Sequence, residues 1–246
     1  MALLLLLLLS GSLFFVLHST DSKNGAMDHI ATKAPTRSIP TPTVDSQQTP
    51  KTLFFEDFSG HGKGWYFSDR GGYTRTFANG ALILQSTNQK MLVESLPETK
   101  TYDNFTITTT FMLYTGDGND SVGLYLRGDS NLDHDYRLDI YGDATYGLSK
   151  ENLADNNLPE NIPIIEPGPT SALKGMGQPN TISVSMQDST ITLIINGQVV
   201  ASVSDRNYTK GQVALFVKNG ATSGGVTASF SQIDIESIAA TSTPNN

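Results

Sequence analysis

Apolar and polar residues alternate one by one through most of the chain between residues 52 and 238, where a helical period is nearly absent. Successive side chains of a β-strand point to opposite faces of its sheet, so each alternating run has one face suited to a core. The alternation predicts about a dozen short strands. The clearest runs are FTITTTFML at 105–113, SVGLYLR at 121–127, DYRLDIY at 135–141, NTISVSMQ at 180–187, TITLII at 190–195, QVVASVS at 198–204 and QVALFVK at 212–218.

Turn signals between these runs predict antiparallel pairing. Asn79-Gly80 and Asn196-Gly197 each separate two alternating runs, and both match the type I′ hairpin turn, which needs positive φ at both central residues. In SFSQIDIES, Phe230 is out of phase with Ile233 and Ile235, which predicts a β-bulge near Ser231. The fold class is therefore all-β, with two packed antiparallel sheets.

Residues 151–178 interrupt this pattern. They contain four prolines and show no clear period. The sequence predicts a long irregular insertion here, of a kind that is often functional and is otherwise a surface loop.

Both ends of the chain differ from its centre. Residues 1–18 contain the apolar run ALLLLLLLSGSLFFVL, and two interpretations stay open: a cleaved signal peptide, or a hydrophobic helix that anchors the chain in a membrane. No positive residue precedes the run, and the nearest basic residue is Lys23. Residues 19–51 are rich in Ser, Thr and Pro and predict a disordered stalk, and residues 239–246 predict a similar tail. The folded domain is thus 52–238, and we expect a secreted or extracytoplasmic protein.

Composition excludes several classes of function. The chain has 246 residues and a net charge of −8, which suits one domain and argues against nucleic acid as a partner, because phosphate binding needs clustered Lys and Arg. It has no cysteine, so disulfides, thiolate zinc sites and a cysteine nucleophile are excluded.

Several of these segments together resemble a known superfamily. They are FFEDFSGHGKGW, RTFANGALIL, SVGLYLRGD, HDYRLDIYGD and the closing NTISVSMQDSTITLIINGQVVASVSDRNYTKGQVALFV. The domain resembles concanavalin A-like jelly rolls, and is most similar to the laminin G-like and 3-keto-disaccharide hydrolase-like domains of exported bacterial proteins. The resemblance implies a jelly-roll sandwich whose concave sheet face binds glycans.

The strands 121–127 and 135–141 carry the candidate ligand face. If their apolar residues face the core, the alternate residues share the opposite face. Aromatic rings can cover the apolar face of a sugar, and Arg and Asp can bond to its hydroxyls. The alternative is that these side chains form cross-strand ion and stacking pairs with no ligand. The candidate residues are Tyr125, Arg127, Arg137, Asp139 and Tyr141, with Tyr73 and Arg75 from GGYTRTF. Trp65, the single tryptophan, suits a core position better than a sugar-stacking one.

Acidic loops are candidate calcium sites. Asp117, Asn119 and Asp120 share one turn, and calcium takes six to eight oxygen ligands. The resemblance nominates a second site near the first and last strands, at Glu56, Asp57 and Asp234. Hydrated turns rich in Asp and Gly are also common without metal. The sequence indicates no required cofactor, and a structural calcium ion is the single candidate. A further loop carries Asp129, Asp133 and Asp135.

We expect a module on a stalk that binds a carbohydrate or another cell-surface polymer. One alternative is a glycoside hydrolase acting on modified disaccharides, and another is a protein adhesion or sensor domain without sugar binding. Catalysis has less support, because the chain lacks a GxSxG elbow and the ExDxxE strand of laminarinase-type enzymes.

Overall fold

The computed structural model describes residues 49–60, 64–65, 70–153 and 159–238. All of them belong to one of two compact units of the chain, Ser46–Asn246. The predicted leader, the stalk up to residue 48 and the tail from residue 239 lie outside the described residues. The described part of the chain holds no helix long and apolar enough to cross a membrane.

The described residues form β-strands and their connections. The strands are β1 Thr52–Glu56, β2 Tyr73–Ala78, β3 Ala81–Ser86, β4 Met91–Ser95, β5 Phe105–Thr115, β6 Ser121–Gly128, β7 Asp135–Tyr141, β8 Thr145–Leu153, β9 Pro159–Pro169, β10 Asn180–Gln187, β11 Thr190–Ile195, β12 Gln198–Ser204, β13 Gln212–Lys218 and β14 Val226–Ser237.

The strands form two antiparallel sheets that pack face to face. The eight-stranded sheet has the order β12-β11-β10-β5-β14-β3-β2, with β1 also paired to β14, and the six-stranded sheet has the order β4-β13-β6-β7-β8-β9. One apolar core lies between them, with contributions from both sheets such as Ile107 and Leu124. The prediction of an all-β, two-sheet sandwich is confirmed.

The core follows from the alternation. In β5, residues Phe105, Ile107, Phe111 and Leu113 are buried and face inward, while Thr106, Thr108 and Thr110 lie outward. Thr109 is the polar member of the inward row, and its hydroxyl donates to the Gln232 carbonyl at 2.7 Å. In the six-stranded sheet, every residue of β6 is buried, so both faces of this strand are covered.

The predicted turns and bulge are confirmed. Asn79 and Gly80 have φ of 54° and 68°, and Asn196 and Gly197 have φ of 50° and 81°. The pairing of β14 with β5 shifts register between Phe230 and Gln232, which places the extra residue at Ser231 and lets Phe230 and Ile233 both face the core.

The predicted irregular insertion is wrong over part of its length, because β8 runs to Leu153 and β9 spans Pro159–Pro169. Proline has no N–H for a ladder, but β9 is an edge strand that pairs on one side only. The prolines interrupt the alternation from which strands were predicted, but an edge strand can accommodate them.

Candidate functional site

The outer face of the six-stranded sheet carries a group of charged residues. Asp135, Arg137 and Asp139 occupy alternate positions of β7, whose intervening residues Tyr136 and Leu138 belong to the core. In the register, Glu151 of β8 lies opposite Asp135. We call Asp135, Arg137, Asp139 and Glu151 the charged cluster.

Arg137 lies between two carboxylates of the cluster. Its Nε donates to Asp139 Oδ2 at 2.7 Å, and its Nη1 donates to Glu151 Oε1. Burial lowers the pKa of Arg137, but the Asp139 and Glu151 charges outweigh it and the pKa is raised. The guanidinium is thus a permanent cation held in one orientation.

Neutral donors hold the remaining oxygens of these carboxylates. Ser121 Oγ donates to Asp139 Oδ1 at 2.7 Å, and the Tyr125 hydroxyl donates to Glu151 Oε2 at 3.2 Å. Each carboxylate therefore has a fixed direction, which is a condition for orienting a ligand.

Asp135 differs from the other members of the cluster. It is fully buried, and neither of its carboxyl oxygens has a hydrogen-bond partner among the described residues. Burial, followed by the nearby Glu151 charge, raises its pKa to about 8. At neutral pH the Asp135 side chain is therefore mostly a carboxylic acid, with a proton to donate.

An apolar patch adjoins the cluster on the same face. The Tyr125 and Phe216 rings pack with centroids 5.3 Å apart, together with Ala214, and Met91, Val93 and Leu132 pack around them. A Cβ at Gly123 would lie 2.8 Å from the Phe216 ring, so this position of β6 needs glycine. The face combines fixed polar groups with aromatic surface.

Most side chains of this face are covered rather than open to solvent. Tyr125, Arg137 and Asp139 are only 4%, 8% and 3% exposed. Tyr141, at the end of β7, and Glu151 are half-buried. Burial, and then the Asp139 charge, raises the pKa of the Tyr141 phenol. A ligand would therefore meet Tyr141 and Glu151 before the deeper groups.

The structure brings together four of the seven predicted ligand residues, namely Tyr125, Arg137, Asp139 and Tyr141. It places Arg127 elsewhere. Arg127 has a φ of 52° and is 1% exposed, and the pairing of β6 with β13 shifts register near it, between Gln212 and Val213. This irregularity breaks the period of two, so Arg127 does not share the face of Tyr125.

The Arg127 guanidinium instead bonds to backbone carbonyls. It donates to the carbonyls of Asp103 at 2.5 Å from Nη2, Asp188 at 2.8 Å from Nη1 and Tyr208 at 3.1 Å from Nη1. Burial lowers its pKa. Its role is to hold three loop segments in place.

Tyr73 and Arg75 also lie away from the charged cluster, on β2 of the other sheet. Arg75 forms an ion pair with Glu94 of β4. The two strands are edge strands of opposite sheets, so this pair links the sheets at one side of the sandwich.

The acidic turn predicted to bind calcium is closed by its own backbone. Asp120 Oδ1 accepts from Gly220 N at 2.7 Å, and Asp120 Oδ2 accepts from Asp117 N at 2.7 Å. Asp117 Oδ1 accepts from Asn119 N at 2.7 Å. A cation would have to replace N–H donors here.

The second predicted calcium site has a similar geometry. Glu56 accepts from Phe58 N at 2.7 Å and from the Trp65 indole at 3.1 Å, while Asp57 accepts from Ser59 N at 2.9 Å. Asp234 Oδ1 is buried without a described partner. Glu56, Asp57 and Asp234 form no convergent group of ligand atoms among the described residues. Trp65 is buried in the core against Phe58, as expected.

A third loop carries a group of possible metal ligands. In the described part of the chain, only this loop brings three carboxylate or imidazole ligand atoms within 4.8 Å of one another, and they belong to Asp129, Asp133 and His134. His134 Nδ1 lies 2.8 Å from Asp133 Oδ1 and 3.0 Å from Asp129 Oδ2. Its bonds to Asp133 and then Asp129 raise the pKa of His134, which favours an imidazolium paired with both carboxylates.

Sequence reasoning missed Glu151, because it falls in the segment predicted to be an irregular insertion. The alternation of Tyr146 and Leu148 with Gly147 and Ser149 continues to Glu151, and this signal extends the strand far enough to find it.

Several solved structures have the same fold. One is a carbohydrate-binding module, CBM66, from Bacillus subtilis, which is 16% identical in sequence and has a TM-score of 0.53. The match covers 71% of this chain and 96% of that chain. A Bacillus subtilis protein of unknown function with a galectin-like fold has 14% identity, 78% and 100% coverage, and a TM-score of 0.57. A Bacillus licheniformis β-glucanase has 12% identity, 76% and 99% coverage, and a TM-score of 0.51. These likenesses confirm the concanavalin A-like sandwich.

A search of curated proteins finds no significant match. The family model of the 3-keto-alpha-glucoside-1,2-lyase-like domain matches residues 50–236, which include every described strand except the last residue of β14. The chain therefore belongs to the family of 3-keto-alpha-glucoside-1,2-lyase-like domains.

Proposed function

We propose that the outer face of the six-stranded sheet binds a saccharide at the charged cluster. The observation that carries the proposal is the Arg137 guanidinium, which is held in one orientation between the carboxylates of Asp139 and Glu151, with Glu151 half-buried and so within reach of a ligand. Similarity to a carbohydrate-binding module and a β-glucanase supports a sugar as the ligand.

The chemistry of the face suits a hydroxylated ring. Hydroxyl groups both donate and accept, so they can bond to the half-buried Glu151 carboxylate and to the Tyr141 phenol. The Tyr141 ring offers an amphipathic surface at the end of β7, where it is half-buried. We further propose that the protein acts outside the cytoplasm, which rests on the apolar leader and the Ser/Thr/Pro-rich stalk in the sequence.

A second candidate function is an elimination reaction, which the family description and the half-buried Glu151 carboxylate favour. In a 1,2-elimination from a 3-keto-glucoside, a base removes the C2 proton, which the C3 ketone makes acidic. The C2–H electron pair becomes the C1–C2 double bond, the C1–O bond breaks, and the leaving oxygen takes a proton. Glu151 is a candidate base, and the half-buried Tyr141 phenol is a candidate proton donor.

A glycan array probed with the protein, followed by titration of any glycan that binds, tests the binding function. Glu151→Gln keeps the side-chain shape but removes the charge beside Arg137, and we expect it to weaken binding by about tenfold or more, since charged hydrogen bonds contribute about 1.5–3 kcal/mol.

Glu166→Gln on β9 is the matched control, because Glu166 is exposed and outside the charged cluster. A blank array, or equal affinity of Glu151→Gln and the parent protein, would contradict sugar binding at this face. Formation of a product with a C1–C2 double bond from 3-keto-glucosides, lost in Tyr141→Phe, would instead establish the elimination.

A further inference from the structure

A cavity lies at one end of the sandwich, where loops of both sheets meet. Its volume is about 600 Å³, within the range of small-molecule sites. It is lined by Asp103, Asn104, Asp188 and Thr209 and by two cations, Arg206 and Lys210. None of these residues belongs to the charged cluster.

The two cations of this cavity are not neutralised by the protein. Among the described residues, the side chains of Arg206 and Lys210 form neither an ion pair nor a hydrogen bond. Both residues are exposed. They therefore present free N–H donors to a cavity that they share.

The walls of the cavity are held by Arg127 beneath them. Its guanidinium donates to the carbonyls of Asp103, Asp188 and Tyr208, which lie in the three segments that form the cavity. No carboxylate forms an ion pair with Arg127 in the described part of the chain. The buried guanidinium thus fixes the loops and adds positive charge below the cavity.

The two carboxylates of the cavity are partly engaged. Asp103 Oδ1 accepts from Asn104 N at 2.7 Å, and Asp188 Oδ1 accepts from Asn104 Nδ2 at 3.3 Å. Their remaining oxygens suit hydroxyl donors and repel a bare anion. The cavity therefore offers cationic donors for one acidic group and acceptors for neighbouring hydroxyls.

From this juxtaposition we propose that the cavity is a second binding site, specific for an acidic saccharide whose carboxylate or sulfate group bonds to Arg206 and Lys210. The net charge of −8 does not prevent this, because charges farther away than the Debye length of about 8 Å at physiological salt are largely screened. This site extends beyond the proposed function, since it shares no residue with the charged cluster.

The test is a titration of the ¹⁵N-labelled protein with tetragalacturonate, a sulfated heparin tetrasaccharide and neutral cellotetraose. We expect one of the two acidic probes to bind, with amide shifts in residues 103–104, 188–189 and 206–210 and with weaker binding as salt is raised. The probe that binds identifies carboxylate or sulfate as the preferred group.

The double variant Arg206→Gln/Lys210→Gln should weaken that binding by at least about tenfold, because it removes both charged donors. Arg70→Gln/Lys90→Gln is the matched control, since it removes one exposed Arg and one exposed Lys and should leave the affinity unchanged.

Three results would each overturn the proposal: no shift with either acidic probe, equal binding of cellotetraose, or equal losses in the two double variants. Glu151→Gln should not change this binding, so failure here is distinguishable from failure at the charged cluster.

Discussion

Asp135 is a carboxyl group that the fold encloses without a hydrogen-bond partner among the described residues. Because its pKa is raised to about 8 in the folded protein, the folded state holds a proton that the unfolded state releases near pH 4. Stability therefore decreases as pH rises from about 4 to about 8 and changes no further above that range.

Asp135→Asn should remove this dependence, because asparagine resembles the protonated acid at every pH. We expect the stability of the variant relative to the parent protein to rise by roughly 3–4 kcal/mol between pH 5 and pH 9, since each unit of difference between the folded and unfolded pKa corresponds to about 1.4 kcal/mol. Urea denaturation at both pH values is the measurement, with Glu166→Gln as the control. Equal differences at pH 5 and pH 9 would show that Asp135 does not titrate in this range.

The sequence predicted the correct sheet face for some candidate residues and the wrong face for one. The period of two placed Arg137, Asp139 and Tyr125 on one face correctly, because the backbone between them is regular. It failed at Arg127, since positive φ and a register shift occur together there. Neither feature has a signature in the residue types alone, so the change of face was not predictable.

At the scale of elements, hydrophobic alternation and turn chemistry predicted most strands because both are local. The proline-rich β9 was not predictable in this way, since its tolerance for proline depends on having only one neighbouring strand. Because β9 was not predicted, Glu151 was missed as well. The place of Glu151 in the site depends on β8 extending far enough to pair with β9.

The β11–β12 hairpin depends on its turn. Gly197 has a φ of 81°, and a Cβ added there would meet no atom within 4 Å, so a substitution changes backbone strain and not packing. Gly197→Ala should destabilise the protein by roughly 1–2 kcal/mol, the cost of a left-handed conformation for a residue with a Cβ.

Gly224→Ala provides the control for this turn, because Gly224 also has open space around it but does not have a φ in the left-handed region. We expect no loss of stability there, since alanine reduces the freedom of the unfolded chain. Thermal unfolding of both variants makes the comparison. Similar losses in the two would mean that flexibility, and not positive φ, is what Gly197 supplies.

Across the whole molecule, the two sheets are joined by polar contacts where their apolar core ends. The Arg75 and Glu94 ion pair spans one side, between β2 and β4. At the loop end, Arg127 of β6 in one sheet bonds to Met186 and Asp188, at the end of β10 in the other. The Arg127 hydrogen bonds that support the walls of the proposed acidic-saccharide site therefore also join the two sheets.

Arg127→Met tests this shared dependence, because methionine fills part of the space but donates no hydrogen bond. The carbonyls of Asp103, Asp188 and Tyr208 would lose their donor, and at about 1–3 kcal/mol for each unsatisfied group we expect a loss of at least about 3 kcal/mol in the free energy of unfolding. Arg127→Lys keeps the charge with fewer donors and should give an intermediate loss, whereas Arg206→Met, at an exposed position, should leave stability nearly unchanged. Urea denaturation measures all three. A loss for Arg127→Met no larger than that for Arg206→Met would show that the sheets hold together at this end through their core alone.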